Sequence, residues 1–96
     1  MKIKLFKISG ESMHPTYFDG DYVVTWRSRL SKITIGDVVA IDHPSYGLII
    51  KRVTELNANG SCFVAGDNPN STPQSSFGLI DKNQVLGKVI YHSSPR

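Results

Sequence analysis

The feature that most constrains this chain is its punctuation. Clusters of turn-forming residues recur roughly every ten positions, and between them polar and apolar residues alternate with a period of two. Asp19-Gly20-Asp21, Ile35-Gly36-Asp37, His43-Pro44-Ser45-Tyr46-Gly47 and Asn57-Ala58-Asn59-Gly60 each interrupt an apolar run. The intervals left between them suit strands and are too short for amphipathic helices of ordinary length. The pattern predicts strands over residues 1–8, 22–26, 38–42, 48–56, 61–65 and 85–91. Lys alternates with apolar residues in the first of these, which predicts one wet face. Two helical turns at most are expected, one beginning at Ser12 and one over 81–84. Residues 66–76, rich in Asn, Pro and Ser, read as loop, and 92–96 as a frayed, flexible tail. The expected fold class is all-β, mainly antiparallel, a barrel or a sandwich.

With 96 residues, no repeat and no linker-like stretch, the chain reads as a single domain over 1–96. A hydrophobic content of 40% is ordinary for a folded protein and argues against disorder. The net charge of +3 comes from Lys and Arg scattered along the chain. That balance reads as solubility; acidic membrane and nucleic acid are the partners a basic surface would suit, but no nucleic-acid partner is expected. The single cysteine, Cys62, excludes an internal disulfide and sits in a strand-like run, so it reads as a small buried hydrophobe. No apolar stretch approaches the ~20 residues that a spanning helix needs, and the lysines of the first strand break any export-signal core. The expected location is cytoplasmic, with any membrane contact peripheral. His14, His43 and His92 lack metal-ligand spacing and read as surface histidines, and no metal or cofactor is expected.

Two residues invite a chemical reading. Ser12 follows Gly10 at the end of a strand, in a turn that Pro15 bends again. Such a turn exposes a hydroxyl and leaves backbone N–H groups free, as an oxyanion hole requires. Alone, a Gly-x-Ser turn is an ordinary loop. Lys51 emerges from the apolar run Leu48-Ile49-Ile50 beside Arg52. Strand alternation sends the two cations to opposite sides, so one of them faces the less solvated side. Burial favours a neutral amine, which can accept a proton from a serine hydroxyl. Alone, Lys51 reads as a lysine on the wet face of an amphipathic strand.

Taken in order, four segments resemble the sequence boxes of type I signal peptidases and their relatives. They are Gly10-Glu11-Ser12-Met13-His14-Pro15-Thr16 with Asp19-Gly20-Asp21; Ile35-Gly36-Asp37-Val38-Val39; Ile50-Lys51-Arg52-Val53; and Gly66-Asp67-Asn68-Pro69-Asn70-Ser71, followed by Phe77-Gly78-Leu79-Ile80 and Leu86-Gly87-Lys88-Val89. The resemblance implies the compact β-barrel catalytic core that signal peptidases share with LexA, with Ser12 as nucleophile and Lys51 as neutral general base. It places the Ser12 N–H in the oxyanion hole and Ser71, or Thr72 one position on, as the hydroxyl that orients the lysine. Met13 and Pro15 match residues that shape the nucleophile turn, and Asp67 and Asn68 match structural positions. Phe6, Ile8, Gly10 and Met13 are the expected substrate-binding residues, the peptide lying extended beside the first strand. Two departures stand out. Gly10 occupies the position where some members carry a second oxyanion serine, and Pro73-Gln74-Ser75 replaces the family's Asp-Ser-Arg in a loop one residue shorter.

The resemblance further implies a serine endopeptidase acting on a polypeptide partner, cutting after small residues to remove an N-terminal leader. The compact, anchorless relatives include maturation proteases of nickel-type superoxide dismutase, which makes that precursor one candidate substrate. Two alternatives accompany this reading: a self-cleaving regulator resembling LexA and UmuD, and a non-catalytic binding module on the same fold. The sequence carries no signal for oligomeric state.

Overall fold

The computed structural model describes residues 2–28 and 32–95. Met1, at the start of the expected first strand, and Arg96, at the end of the expected tail, lie outside them. Six strands form one antiparallel sheet: β1 (Lys2–Lys7), β2 (Tyr22–Arg27), β3 (Val38–His43), β4 (Gly47–Leu56), β5 (Cys62–Ala65) and β6 (Val85–Ser93). Their spatial order is β1-β2-β6-β3-β4-β5. The all-β expectation therefore holds, and each predicted strand is present. The ladder leaves β1 and β5 as edges. Contacts between loops bring those two edges together: the Asn68 N–H, beyond β5, donates to the Ser12 carbonyl, beyond β1, at 2.9 Å.

Strand β3 sits inside the sheet, and Val38, Val39, Ala40 and Ile41 are all buried. It therefore feeds two apolar clusters, because alternate side chains leave on opposite faces. Val39 and Ile41 join Val53, Cys62, Val64, Phe77, Ile80 and Val85 in the first. Val38 and Ala40 join Ile8, Met13, Val23 and Ile50 in the second. The second cluster lies beneath the loop that carries Ser12, and Met13, only 1% exposed, anchors that loop in it. Cys62 is likewise 1% exposed within the first cluster, and burial raises its thiol pKa, so it packs as a hydrophobe.

Several expectations are corrected. The first strand does not have one dry face: Ile3 and Leu5 are exposed along with the lysines, because β1 is an edge strand and only Phe6 packs against the core. The helical turn expected at Ser12 is a series of tight turns, while Lys82–Gln84 does form a 3-10 turn, closed by a reciprocal cap between Asp81 and Gln84. A four-residue helix, α1 (Gln74–Phe77), stands within and just beyond the stretch read as loop. The tail is tied down: β6 runs to Ser93, and His92 Nε2 and Ser94 Oγ bond the fully buried Asp21 carboxylate at 2.8 and 2.9 Å. Among the described residues, no helix is long and apolar enough to cross a membrane.

Candidate active site

Ser12 sits in the loop between β1 and β2, whose shape is set by backbone bonds and two carboxylates. The Ile8 N–H donates to the Asp21 carbonyl at 2.7 Å and the Gly20 N–H to the Ile8 carbonyl at 2.9 Å, pinching the loop at its base. The Gly10 N–H donates to Asp19 Oδ1 at 2.8 Å. Gly10 has φ +86°, a conformation that costs glycine nothing and strains any side chain. Inside the loop, the N–H groups of Thr16 and Tyr17 both donate to the Met13 carbonyl, coiling the chain just after Ser12. Among the described residues, the Ser12 N–H donates to no protein acceptor.

Lys51 lies in the middle of β4, opposite Val39 of β3. It shares its side of the strand with Ile49 and Val53, and is 7% exposed. Alternation sends Arg52 the other way, where its guanidinium forks onto both Asp67 oxygens at 2.8 Å and donates to the Gly36 carbonyl at 2.6 Å. The two adjacent cations thus have opposite fates. Arg52 has a carboxylate, whereas Lys51 Nζ meets the Ser12 hydroxyl oxygen at 2.5 Å and the Phe77 ring, whose centroid is 5.4 Å away. Loss of hydration lowers the Lys51 pKa below its ordinary value of 10.5.

The loop after β5 holds the two sides of the site together. Asp67, fixed by Arg52, accepts the Thr16 hydroxyl at 2.5 Å, and Asn68 bonds both the Ser12 and Glu11 carbonyls. The Arg52 guanidinium holds the Asp67 carboxyl below the usual carboxylate range, with the Thr16 bond adding to the effect. Gly66 presses on Ser12 so closely that a Cβ there would stand 2.4 Å from the Ser12 carbonyl oxygen and 2.6 Å from Ser71 Oγ.

The sequence-derived site residues fall into two groups. Ser12 and Lys51 meet, although 39 positions separate them. Ile8 and Met13 line a cavity of about 280 Å³ beside them, with Ser9, Leu48 and Ile49. Phe6 and Gly10 do not line it; Phe6 packs against the second apolar cluster and Gly10 serves the turn. Neither Ser71 nor Thr72 hydrogen-bonds Lys51. The Ser71 hydroxyl turns back to donate to the Asn68 carbonyl at 2.7 Å, and Thr72 is exposed.

The residue that does reach Lys51 from this segment is Phe77, which the sequence reading left without a role. Helix α1 has no side-chain cap, and tertiary bonds hold it instead. Thr54 Oγ1 donates to Gln74 Oε1 at 2.6 Å, and His43 Nε2 lies 2.8 Å from the Phe77 carbonyl. His43 is the last residue of β3 and is buried, which corrects its reading as a surface residue. Its Nδ1 accepts from the N–H groups of Ser45 and Tyr46, so the proton sits on Nε2 and is donated to Phe77. His92 is engaged with Asp21, His14 lies tilted against the Phe18 ring at 4.4 Å, and none of the three histidines hydrogen-bonds Ser12. A Ser–His arrangement is therefore absent among the described residues.

The Peptidase S24-like family model matches residues 2–90, nearly the full chain. No curated protein matches it.

Proposed function

The chain belongs to the Peptidase S24-like family, and on that premise we propose that it is a serine endopeptidase with Ser12 as nucleophile and Lys51 as general base. One observation carries the reading: a lysine 7% exposed, with no carboxylate partner among the described residues, stands 2.5 Å from the hydroxyl of a serine in a tight turn. A lysine kept for stability alone would gain from an acidic partner or from solvent. Here it has a ring wall and a hydroxyl, which suit a neutral amine.

The chemistry follows from those positions. Neutral Lys51 takes the Ser12 proton as Oγ attacks the scissile carbonyl. Negative charge gathers on the carbonyl oxygen, where the unengaged Ser12 N–H is the available donor. The lysine ammonium then protonates the departing amine, leaving an acyl-serine and a neutral lysine. Water gives a proton to Lys51, attacks the ester and releases the acid, and the proton returns to Ser12 Oγ. The site turns over with atoms and protons balanced.

The substrate is an extended polypeptide. Outside their β2 and β3 pairings, residues 7–9 and 48–51 present strand edges on either side of the 280 Å³ cavity. A peptide laid between them gains backbone hydrogen bonds. A cavity this small favours small side chains before the cut, as the resemblance to type I signal peptidases implies. Removal of a leader from a partner protein is the primary reading. The family match favours a second, self-cleavage in the manner of LexA and UmuD. Incubation with candidate precursors, a nickel-type superoxide dismutase precursor among them, and mass spectrometry of new N-termini tests both. Cleavage of a partner should scale with enzyme concentration, whereas self-cleavage should not. Ser12→Ala should abolish either without changing the circular dichroism spectrum; full activity in that variant refutes the mechanism.

A further inference from the structure

A second and larger cavity, about 910 Å³, shares no lining residue with the Ser12 site. It opens at the other ends of the same strands. On β1 it touches Lys2 rather than Lys7, about 17 Å along the strand. On β4 it touches Leu56 rather than residues 48–51. Five of the chain's 11 Lys and Arg residues line it (Lys2, Arg27, Lys32, Lys82 and Lys88), and none of its 8 acidic residues does. These cations are scattered in the sequence, and the fold gathers them.

Their arrangement is costly as it stands. Lys2 and Arg27 are directly opposite across the β1–β2 ladder, and like charges in that relation destabilise a sheet. None of the five forms a salt bridge among the described residues. Lys88 Nζ instead approaches the Lys32 carbonyl at 3.4 Å, bringing the chains of two lysines together. The lining also holds Trp26, half-buried and opposite Lys88 in the β2–β6 ladder. Neighbouring positions alternate, so Lys2 and Arg27 leave on one face and Trp26 with Lys88 on the other; the cations left to the ring's side of the cavity are Lys88 and, outside the strands, Lys32 and Lys82. A planar ring beside unpaired lysines is the pairing that nucleotides use, with bases stacking on the ring and phosphates meeting the cations.

We propose that this cavity binds nucleotide phosphates with the base against Trp26, presented by a single-stranded nucleic acid or by a free nucleotide. This revises the expectation of no nucleic-acid partner, which rested on the scatter of basic residues along the chain. It does not depend on peptidase activity.

Trp26 is the sole tryptophan, so its fluorescence reports the site. The test titrates the Ser12→Ala protein with a dT12 oligonucleotide and, separately, with dTMP. Quenching by both, with dT12 the tighter, assigns the strand; equal affinity assigns the free nucleotide. Three engaged cations, Lys32, Lys82 and Lys88, give dT12 a log–log salt slope of about −2.1. Lys82→Glu with Lys88→Glu should flatten the slope by about 1.4 and weaken binding by about tenfold or more. Arg27→Glu, on the opposite face, should raise the melting temperature by pairing with Lys2 while leaving dT12 binding within about twofold. Lys82→Gln, at an exposed site outside the strands, serves as the variant least able to disturb folding and should also weaken binding. The proposal is overturned if neither nucleotide ligand quenches Trp26. It is equally overturned if polyphosphate, polyglutamate or phosphatidylglycerol vesicles bind as tightly as dT12.

Discussion

Replacing Gly66 by alanine tests the site without touching a reacting group. The added Cβ would lie 2.4 Å from the Ser12 carbonyl oxygen and 2.6 Å from Ser71 Oγ. The Ser71 hydroxyl can rotate away, but the Ser12 carbonyl is backbone and is held by the Asn68 N–H at 2.9 Å. Ordinary contact between a carbon and an oxygen is roughly 3.2–3.4 Å, so the Ser12 backbone must retreat by nearly 1 Å. The Gly66 φ lies outside the left-handed region, so the substitution acts through this contact and not through backbone strain. A displacement of that size in a reacting group costs about 100-fold in rate, or about 2.7 kcal/mol of transition-state stabilisation. The assay is kcat/KM for precursor cleavage across pH, with a thermal melt alongside. The plateau should fall by about two orders of magnitude, while the pH at half-maximal rate stays close to where it was, because the burial that lowers the Lys51 pKa is unchanged. Adding Ser71→Ala should not restore activity, since it relieves only the softer of the two conflicts. A Gly66→Ala protein with near-normal kcat/KM would refute the argument that Gly66 positions Ser12.

Four further outcomes follow. Because burial lowers the Lys51 pKa, cleavage should rise with pH as the amine loses its proton; Phe77→Ala, which opens the wall, should move that rise to higher pH, and Phe77→Leu should move it less. For the same reason Lys51→Met should raise stability at neutral pH, where folding must either bury the lysine charge or remove its proton, and the advantage should shrink as pH approaches 10.5 and the unfolded chain deprotonates too. The depressed Asp67 pKa makes the opposite sign: its contribution is full above the ordinary carboxylate value of 3.8 and is lost as pH falls through the lower native value, so Asp67→Asn should cost about 1–2 kcal/mol at pH 7 and less in acid. Thr25 is 1% exposed with a hydroxyl that has no partner among the described residues, so Thr25→Val should stabilise the fold by about 1 kcal/mol and raise Tm by about 4–8 °C in a calorimetric scan.

Much of the fold is legible in the sequence because it is local. Alternation and turn residues place each strand within a few positions, and Asp81 with Gln84 announces the 3-10 turn. The pair Ser12 and Lys51 is another matter. Neither turn chemistry nor alternation joins residues 39 positions apart, and only their order among four family-like segments brings them together. What escapes the sequence is what tertiary contact decides. Helix α1 has a proline before it and no capping side chain, so nothing local announces it; Thr54 and His43 hold it from other strands. Phe77 reads as one apolar residue among many until that helix lays its ring beside Lys51. His92 reads as tail because its partner, Asp21, is 71 residues away. Pro73-Gln74-Ser75 leaves that stretch of the loop without charged side chains. The fold answers with Arg52 and Asp67, which brace the Ser12 turn from the far side of β4.

The central claim is that Lys51 is a neutral base poised on Ser12, and titrating that amine measures it most directly. With lysine labelled at Cε, an NMR pH titration resolves Lys51 from the surface lysines, and Lys51→Met assigns its signal. The midpoint should fall below 10.5 and coincide with the acidic limb of the cleavage profile. A Lys51 signal that titrates with the surface lysines, while cleavage proceeds at neutral pH, would contradict the account.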